Sequence, residues 1–328
     1  MTIETVHRLG AEIDRRLHDL LPHGTPFALL DYPDYANAGD NAIYLGTTRF
    51  FARAGLHPTF ACIPARTDWA ALERAIGNGP IFLNGGGNFG DLYDWAQDYR
   101  EEVLRRFPGR PVIQLPQTIH FRSPARIDQA ARAIERHAAF VLCVRDKPSL
   151  TLARRHFGCE VRLCPDMAFA IGPMARGAAR QRLLMLLRDD AEAVAGNAAA
   201  RAAIPDDSVL ADWADDPLGF HARTRRRALT WALLAARHGR GAARARILQA
   251  VAAARVRRGT ALLSTGRAVV TDRLHGHILC TLLGIRHVFL DNNYGKIAAF
   301  SDTWQTQTAD AVAASSLLQA IEISHQWN

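Results

Sequence analysis

The feature that most constrains this chain is a repeated unit. A short apolar run is followed by a corner of Gly, Asn, Asp and charged residues, then by an amphipathic stretch. Apolar runs over 27–31, 59–63, 80–83, 111–115, 140–144 and 161–163 read as buried strands. The patterns over 41–54, 68–76, 94–107, 124–137 and 148–156 read as the helices between them. Parallel strands need crossovers of about this length, so six such units predict a doubly wound parallel sheet. Gly, Pro and charge without a buried pattern mark a break over 172–181. Beyond it the expectation is a strand over 182–187, an irregular stretch over 190–220, helices over 220–238 and 242–258, and a closing strand–helix–strand unit over 268–296. The fold class is therefore α/β, with two Rossmann-like parallel-sheet domains facing a cleft, over 1–172 and 173–328. A length of 328 residues suits two cores better than one.

Composition narrows the class. Hydrophobic residues at 48% and charged residues at 22% describe an ordinary soluble protein. Five cysteines, at 62, 143, 159, 164 and 280, are scattered without a CxxC pair. That argues for a reducing compartment and against a disulfide framework or a structural zinc site. The opening stretch MTIETVHRLGAEIDRRLHDLL reads as a charged amphipathic helix without the apolar core of a signal peptide. No uncharged apolar run is long enough to cross a bilayer. A cytoplasmic protein is expected.

The net charge of +8 is unevenly spread. From 217 to 271 there are twelve arginines and no acidic residue, more charge than the whole chain carries net. Two readings stand: Arg-rich solvated helices, or a face that meets an anionic membrane surface at the inner side of the plasma membrane. Nucleic acid is disfavoured, because only Phe220 and Trp231 offer stacking surface and no DNA- or RNA-binding motif is present. The only lysines, Lys147 and Lys296, both fall in motif-like corners.

The corners carry the chemistry. In 268–296, AVVTDRLHGHILCTLLGIRHVFLDNNYGK, the strand 268–271 ends in Asp272, Arg273, Leu274 and His275. The strand 287–290 ends in a corner containing Lys296. Ligands of open α/β sheets bind at such carboxyl ends, where helix N-termini favour anions. An Arg and a His there combine an anion site with a proton carrier, the active ring being oriented by Asp272 or a nearby carbonyl. His275 and His277, two apart on a helix, point to different sides. One active and one structural histidine is the better division, and no metal site is expected. Gly86, Gly87 and Asn88 form a glycine corner that either presents N–H groups to an anion or is only a tight turn. It lacks the dinucleotide and Walker spacings. Gly39, Asp40 and Asn41 form a polar corner after the first strand, where Asp40 contacts a substrate or merely caps the helix. Arg145 ends a further strand, as an anion ligand or in a structural contact with Asp146, and His120 closes the corner after the fourth strand as a second candidate anion ligand. Serine hydrolase, kinase and HExxH signatures are absent.

Taken together, GDNAIYLG, NGGGNFGD, PQTIHF, VRDKPSL, CPDMAF and DRLHGHILCTLLGIRHVFLDNNYGK occur in an order that resembles the polysaccharide pyruvyl transferases. The likeness is weakest between about 170 and 260. It implies a GT-B-like fold and transfer of pyruvate from phosphoenolpyruvate to a sugar, in an exopolysaccharide or its lipid-linked precursor, forming a cyclic ketal. It places the family's active-site Arg-Leu-His run on Arg273, Leu274 and His275, its strand-end arginine on Arg145 and its strand-end histidine on His120. Arg273 and Arg145 are then the clamps for carboxylate and phosphate. His275 is the general acid, with His120 assisting or holding phosphate. No cofactor is required. A nucleotide-sugar glycosyltransferase on the same architecture is the main alternative, and a non-enzymatic membrane-surface scaffold the third.

Overall fold

The computed structural model describes residues 2–188, 204–213 and 241–327, with residues 220, 223, 224, 226 and 230 between them. Most of the helix expected over 220–238 lies outside the described residues. The first parallel sheet is built from β1 (Ala28–Leu30), β2 (Phe60–Ala61), β3 (Ile81–Leu83), β4 (Gly86–Gly90), β5 (Val112–His120), β6 (Phe140–Val144) and β7 (Glu160–Leu163). Its order is β2-β1-β3-β5-β6-β7, with β4 alongside β5. Five helices follow the strands as the alternation predicts: α2 (Ala38–Arg53), α3 (Trp69–Ile76), α4 (Asp94–Arg106), α5 (Pro124–Glu135) and α6 (Lys147–His156). They are preceded by α1 (Thr2–Leu17).

The second parallel sheet comprises β8 (Gln181–Leu186), β9 (Ser208–Ala211), β10 (Gly266–Thr271), β11 (Arg286–Leu290) and β12 (Ala311–Ala314), in the order β12-β11-β10-β8-β9. Its helices are α7 (Gly241–Ser264), α8 (Leu274–Leu283), α9 (Lys296–Trp304) and α10 (Leu317–His325). All ten residues of α8 are buried, so this helix is apolar around most of its circumference. It stops at Gly284, whose left-handed backbone (φ 62°) satisfies the last turn.

Three expectations change. The PQTIH corner is not a loop: β5 runs on to His120 because β4 pairs with its outer end. The glycine stretch is thus partly a strand. The stretch expected to be irregular contributes β9, a half-exposed edge strand whose pattern is too short and weak to read. Finally, the Arg-rich stretch is not simply a solvated face. Helix α7 packs on α2 and β2 of the first half, and Arg255 is buried with its guanidinium donating to Pro33 O at 3.0 Å and Asp34 Oδ1 at 3.1 Å. One apolar core continues across both halves, from Leu9, Ala42 and Tyr44 to Val269, Ile278 and Phe300. The two sheets therefore present a fixed relative geometry. Among the described residues, no helix is long and apolar enough to cross a membrane.

In each sheet the strand order reverses once, between β1 and β3 in the first and between β8 and β10 in the second. Such switch points open a crevice beyond the strands' carboxyl ends. Here both crevices face one cavity of about 550 Å³, lined by Asp31 and Asn84 from one reversal and Arg188 and Arg273 from the other.

Candidate active site

Most of the polar floor of the cavity is supplied by strand ends. Arg145 follows β6, Arg273 and His275 follow β10, Lys296 opens α9 after β11, and Gly86, Gly87 and Asn88 lie on β4. Arg145 is fully buried. Its Nη1 donates to Asp166 Oδ2 at 2.6 Å and its Nε to Thr118 Oγ1 at 2.9 Å. Its Nη2 makes no hydrogen bond among the described residues and faces the glycine corner. A side chain on Gly87 would place its Cβ 3.0 Å from both Arg145 Nη2 and Lys296 Nζ. Glycine at this position is what lets two cations approach the backbone. Arg273 occupies the N-cap position of α8 and donates from Nη2 to Asp212 Oδ2 at 2.6 Å.

His275 joins this floor through a residue that sequence reasoning left unassigned. Its Nε2 lies 3.4 Å from Asp166 Oδ2, the same oxygen that Arg145 holds. Burial alone would raise the Asp166 carboxyl. The contacts with His275 and Arg145 outweigh that and hold it well below the ordinary carboxylate range. Asp272, expected to orient the ring, does something else: its Oδ1 accepts from the Arg188 backbone N–H at 2.8 Å, joining the ends of β8 and β10. Asp166 sits in CPDMAF at the end of β7, so the motif was visible, but its partner lies in the other sheet. The opposite, Cβ–Cγ–Nδ1 side of His275 packs on Gly39, where a Cβ would fall 2.6 Å from His275 Nδ1. The first turns of α2 and α8 therefore meet at this histidine, each presenting a positive helix end.

The remaining candidates divide. Asp40, Leu274, Gly86, Gly87 and Asn88 line the cavity. Asp40 accepts from Asn37 Nδ2 at 2.8 Å, while the N-cap itself is Asn37, whose Oδ1 accepts from Gly39 N at 2.9 Å. Asn41 is turned inward and donates to Tyr35 O and Asn37 O, which shapes the corner without lining it. His120 does not line the cavity either. Its ring packs on Tyr294 with centroids 4.7 Å apart, because β5 extends past the corner where the sequence pattern ended it. Lys147 is exposed at the start of α6. Residues that sequence reasoning did not select but that line the cavity include Asp31, Tyr35, Tyr93, Trp95, Asp212 and Trp213.

His277 is the structural member of the pair. It is fully buried, with Nδ1 2.8 Å from His287 Nε2 and Nε2 2.8 Å from Thr306 Oγ1. His287 Nδ1 donates to Ile285 O at 2.8 Å. With both rings neutral, each ring nitrogen has a suitable partner; a second proton on His287 would set two donors against each other. Burial pushes both pKa values down, that of His287 to about 4, and proximity to His287 depresses that of His277 further. Folded-state values below the unfolded value of 6.5 mean that the unfolded chain takes up more protons as pH falls. Stability is therefore expected to decline from about pH 6.5 toward 4, by up to about 1.4 kcal/mol per pH unit for each histidine. Urea midpoints at pH 7 and pH 5 check this, and equal midpoints would show that these rings titrate alike in both states. Among the described residues, no group of His, Cys, Asp or Glu is arranged to hold a metal ion.

Fold and site together define an α/β protein whose two parallel sheets share one cationic, histidine-bearing cleft. A family model described as polysaccharide pyruvyl transferase matches residues 37–294. Over 296 residues the chain is 31% identical to the pyruvyl transferase EpsO of Bacillus subtilis (strain 168), covering 88% of each chain. Over 320 residues it is 31% identical to Pyruvyl transferase 1 of Schizosaccharomyces pombe (strain 972 / ATCC 24843), covering 92% of this chain and 76% of that protein. The chain belongs to the polysaccharide pyruvyl transferase family. The crystal structure of a functionally uncharacterized protein from Klebsiella pneumoniae subsp. pneumoniae NTUH-K2044 shares the fold, with a TM-score of 0.56 at 18% identity over 94% of this chain and 99% of that one.

Proposed function

We propose that this chain transfers pyruvate from phosphoenolpyruvate to a sugar of an exopolysaccharide, or of its lipid-linked precursor, and closes a cyclic ketal. The observation that carries the reading is the cluster in which Asp166 holds both Arg145 and His275 beside Gly87 and Lys296. A donor bearing a carboxylate and a phosphate needs at least two cationic clamps and a nearby proton carrier. Arg145, through the Nη2 left over from Asp166 and Thr118, and Arg273, through its guanidinium fork, act as the clamps. Lys296 adds a point charge.

His275 acts as the proton carrier. Its Nε2 lies beside Asp166 Oδ2 at 3.4 Å, and its Nδ1 edge packs on Gly39. The donor's methylene carbon gains a proton while a sugar hydroxyl oxygen bonds to the adjacent carbon and loses its own proton. Breaking the C–O bond to phosphate releases inorganic phosphate and leaves an oxocarbenium centre. A second hydroxyl adds there and gives up its proton, closing the ketal. Asp166 keeps the imidazole oriented, and as a carboxylate it stabilises the charged ring. The two sheets work as a GT-B-like pair with the donor held at their junction. For a lipid-linked acceptor the enzyme would act at the cytoplasmic membrane face, where exposed Arg223, Arg226, Arg246, Arg257 and Arg267 supply positive charge. Salt-sensitive sedimentation with anionic but not neutral vesicles tests that contact.

The test of the reaction is phosphate release from phosphoenolpyruvate, coupled to pyruvyl addition on the acceptor seen by mass spectrometry. Release of a nucleoside diphosphate from a nucleotide sugar instead would support a glycosyltransferase. In the same assay Arg273→Lys is expected to weaken apparent affinity for phosphoenolpyruvate by about 10–100-fold, because the charge remains while the fork is lost. Wild-type affinity in that variant would remove Arg273 from the donor clamp.

A further inference from the structure

Three large aromatic side chains stand exposed on this protein among the described residues: Tyr35 at 43%, Tyr93 at 39% and Trp95 at 51%. All three line the one cavity that holds Arg145, Arg273 and His275. Exposed Trp and Tyr placed singly on a surface call for no explanation, but three converging on one cavity mouth do. Tyr35 belongs to the corner between β1 and α2, and Tyr93 and Trp95 flank the first residue of α4, so separate segments bring the rings together. The Tyr35 hydroxyl is turned in toward Asp40, and burial together with the Asp40 and Asp31 carboxylates pushes its phenol well above the ordinary range. That anchors one end of the ring and leaves the rest of it at the surface. The chemistry of this rim differs from that of the floor. The floor is cationic around Arg145 and Lys296, while beside the three aromatics the lining includes the partly exposed Asp40, which the Tyr35 hydroxyl approaches. A second anion is poorly matched there. A neutral polyol with one apolar face is well matched, because its C–H groups meet ring faces and a hydroxyl donates to the carboxylate.

We propose that Tyr35, Tyr93 and Trp95 form the acceptor subsite, stacking on the apolar face of a pyranose ring while Asp40 accepts a hydrogen bond from one of its hydroxyls. The choice of a sugar as occupant rests on the pyruvyl-transfer reading; the existence of the subsite rests on the rim itself. Trp95 and Tyr93 are exposed enough that truncating them spares the core.

The experiment is saturation-transfer NMR on the full chain at millimolar concentrations of four probes: methyl glucopyranoside, methyl galactopyranoside, methyl mannopyranoside and uridine monophosphate. Phosphoenolpyruvate binding is followed separately by calorimetry. The expected result is saturation of ring protons in at least one glycoside. In the Tyr93→Ala/Trp95→Ala variant, binding of that glycoside should weaken by about tenfold or more, the scale of one lost aromatic contact, while phosphoenolpyruvate affinity stays at the wild-type value. Trp95→Phe should restore part of the signal. No saturation of any glycoside by the wild type, or equal saturation in the double variant, would overturn the proposal. So would preferential saturation of the base of uridine monophosphate, lost in the double variant, since the rim would then be a nucleotide site. Failure of the wild type to bind phosphoenolpyruvate would count against the donor reading and leave the glycoside result to decide the subsite.

Discussion

His275→Ala is expected to lower turnover by about 10²–10⁴-fold, the usual cost of losing a positioned general acid. The fold should survive, because Asp166 keeps its ion pair with Arg145 at 2.6 Å. His275→Gln retains most of the volume and should be as inactive, which separates lost chemistry from lost packing. Gly39→Ala offers an independent route to the same outcome. Its Cβ would lie 2.4 Å from the Cβ of His275, so either the ring or the first turn of α2 must move. Misplacing a catalytic group by about 1 Å can cost about 10²-fold, although nothing that touches the substrate has been removed. Near-native turnover in His275→Ala, measured as phosphate release, would take His275 out of the mechanism. Near-native turnover in Gly39→Ala would show that the contact with α2 does not position the ring.

The second large effect is on stability as well as activity. Arg145→Met should destabilise the protein by about 3–5 kcal/mol, because removing one partner of a buried ion pair strands the other. Both side chains are fully buried, and Asp166 would retain only the Ala168 N–H at 2.9 Å and the looser contact with His275. Asp166→Asn in the same background should recover part of the loss by removing the stranded charge, without recovering activity. Urea unfolding at pH 7 checks both variants. An Arg145→Met midpoint equal to wild type would mean that the pair contributes little to the fold, and that Arg145 serves the donor alone.

How much of this was legible beforehand depends on the distance over which each feature is encoded. The strand and helix alternation follows from apolar spacing within each unit, and it appears as two parallel sheets. The Arg-Leu-His run sits where its own strand end and helix start put it, at Arg273 to His275. Gly284 ends α8 through its own backbone freedom, and so does so wherever the helix lies. His120 sits on β5 rather than in a corner because the end of that strand is decided by pairing with β4, a contact that no local pattern reports. Arg255 was read with its Arg-rich neighbours as surface, yet it is buried against a loop more than two hundred residues earlier in the chain.

By itself, then, the sequence determined the βα units, the polar corners at their strand ends, the family, and the residue types able to hold an anion and carry a proton. Period, turn chemistry and motif are properties of neighbours along the chain, and they survive whatever the tertiary arrangement becomes. The tertiary structure alone decided which corners meet. It set Asp166 rather than Asp272 beside His275, put Asp212 on Arg273, placed Gly39 under the imidazole and gathered Tyr35, Tyr93 and Trp95 at one rim. Those pairings follow from sheet order and from the apolar core that locks the two halves together, and the free energy that selects them is spread over residues far apart in sequence.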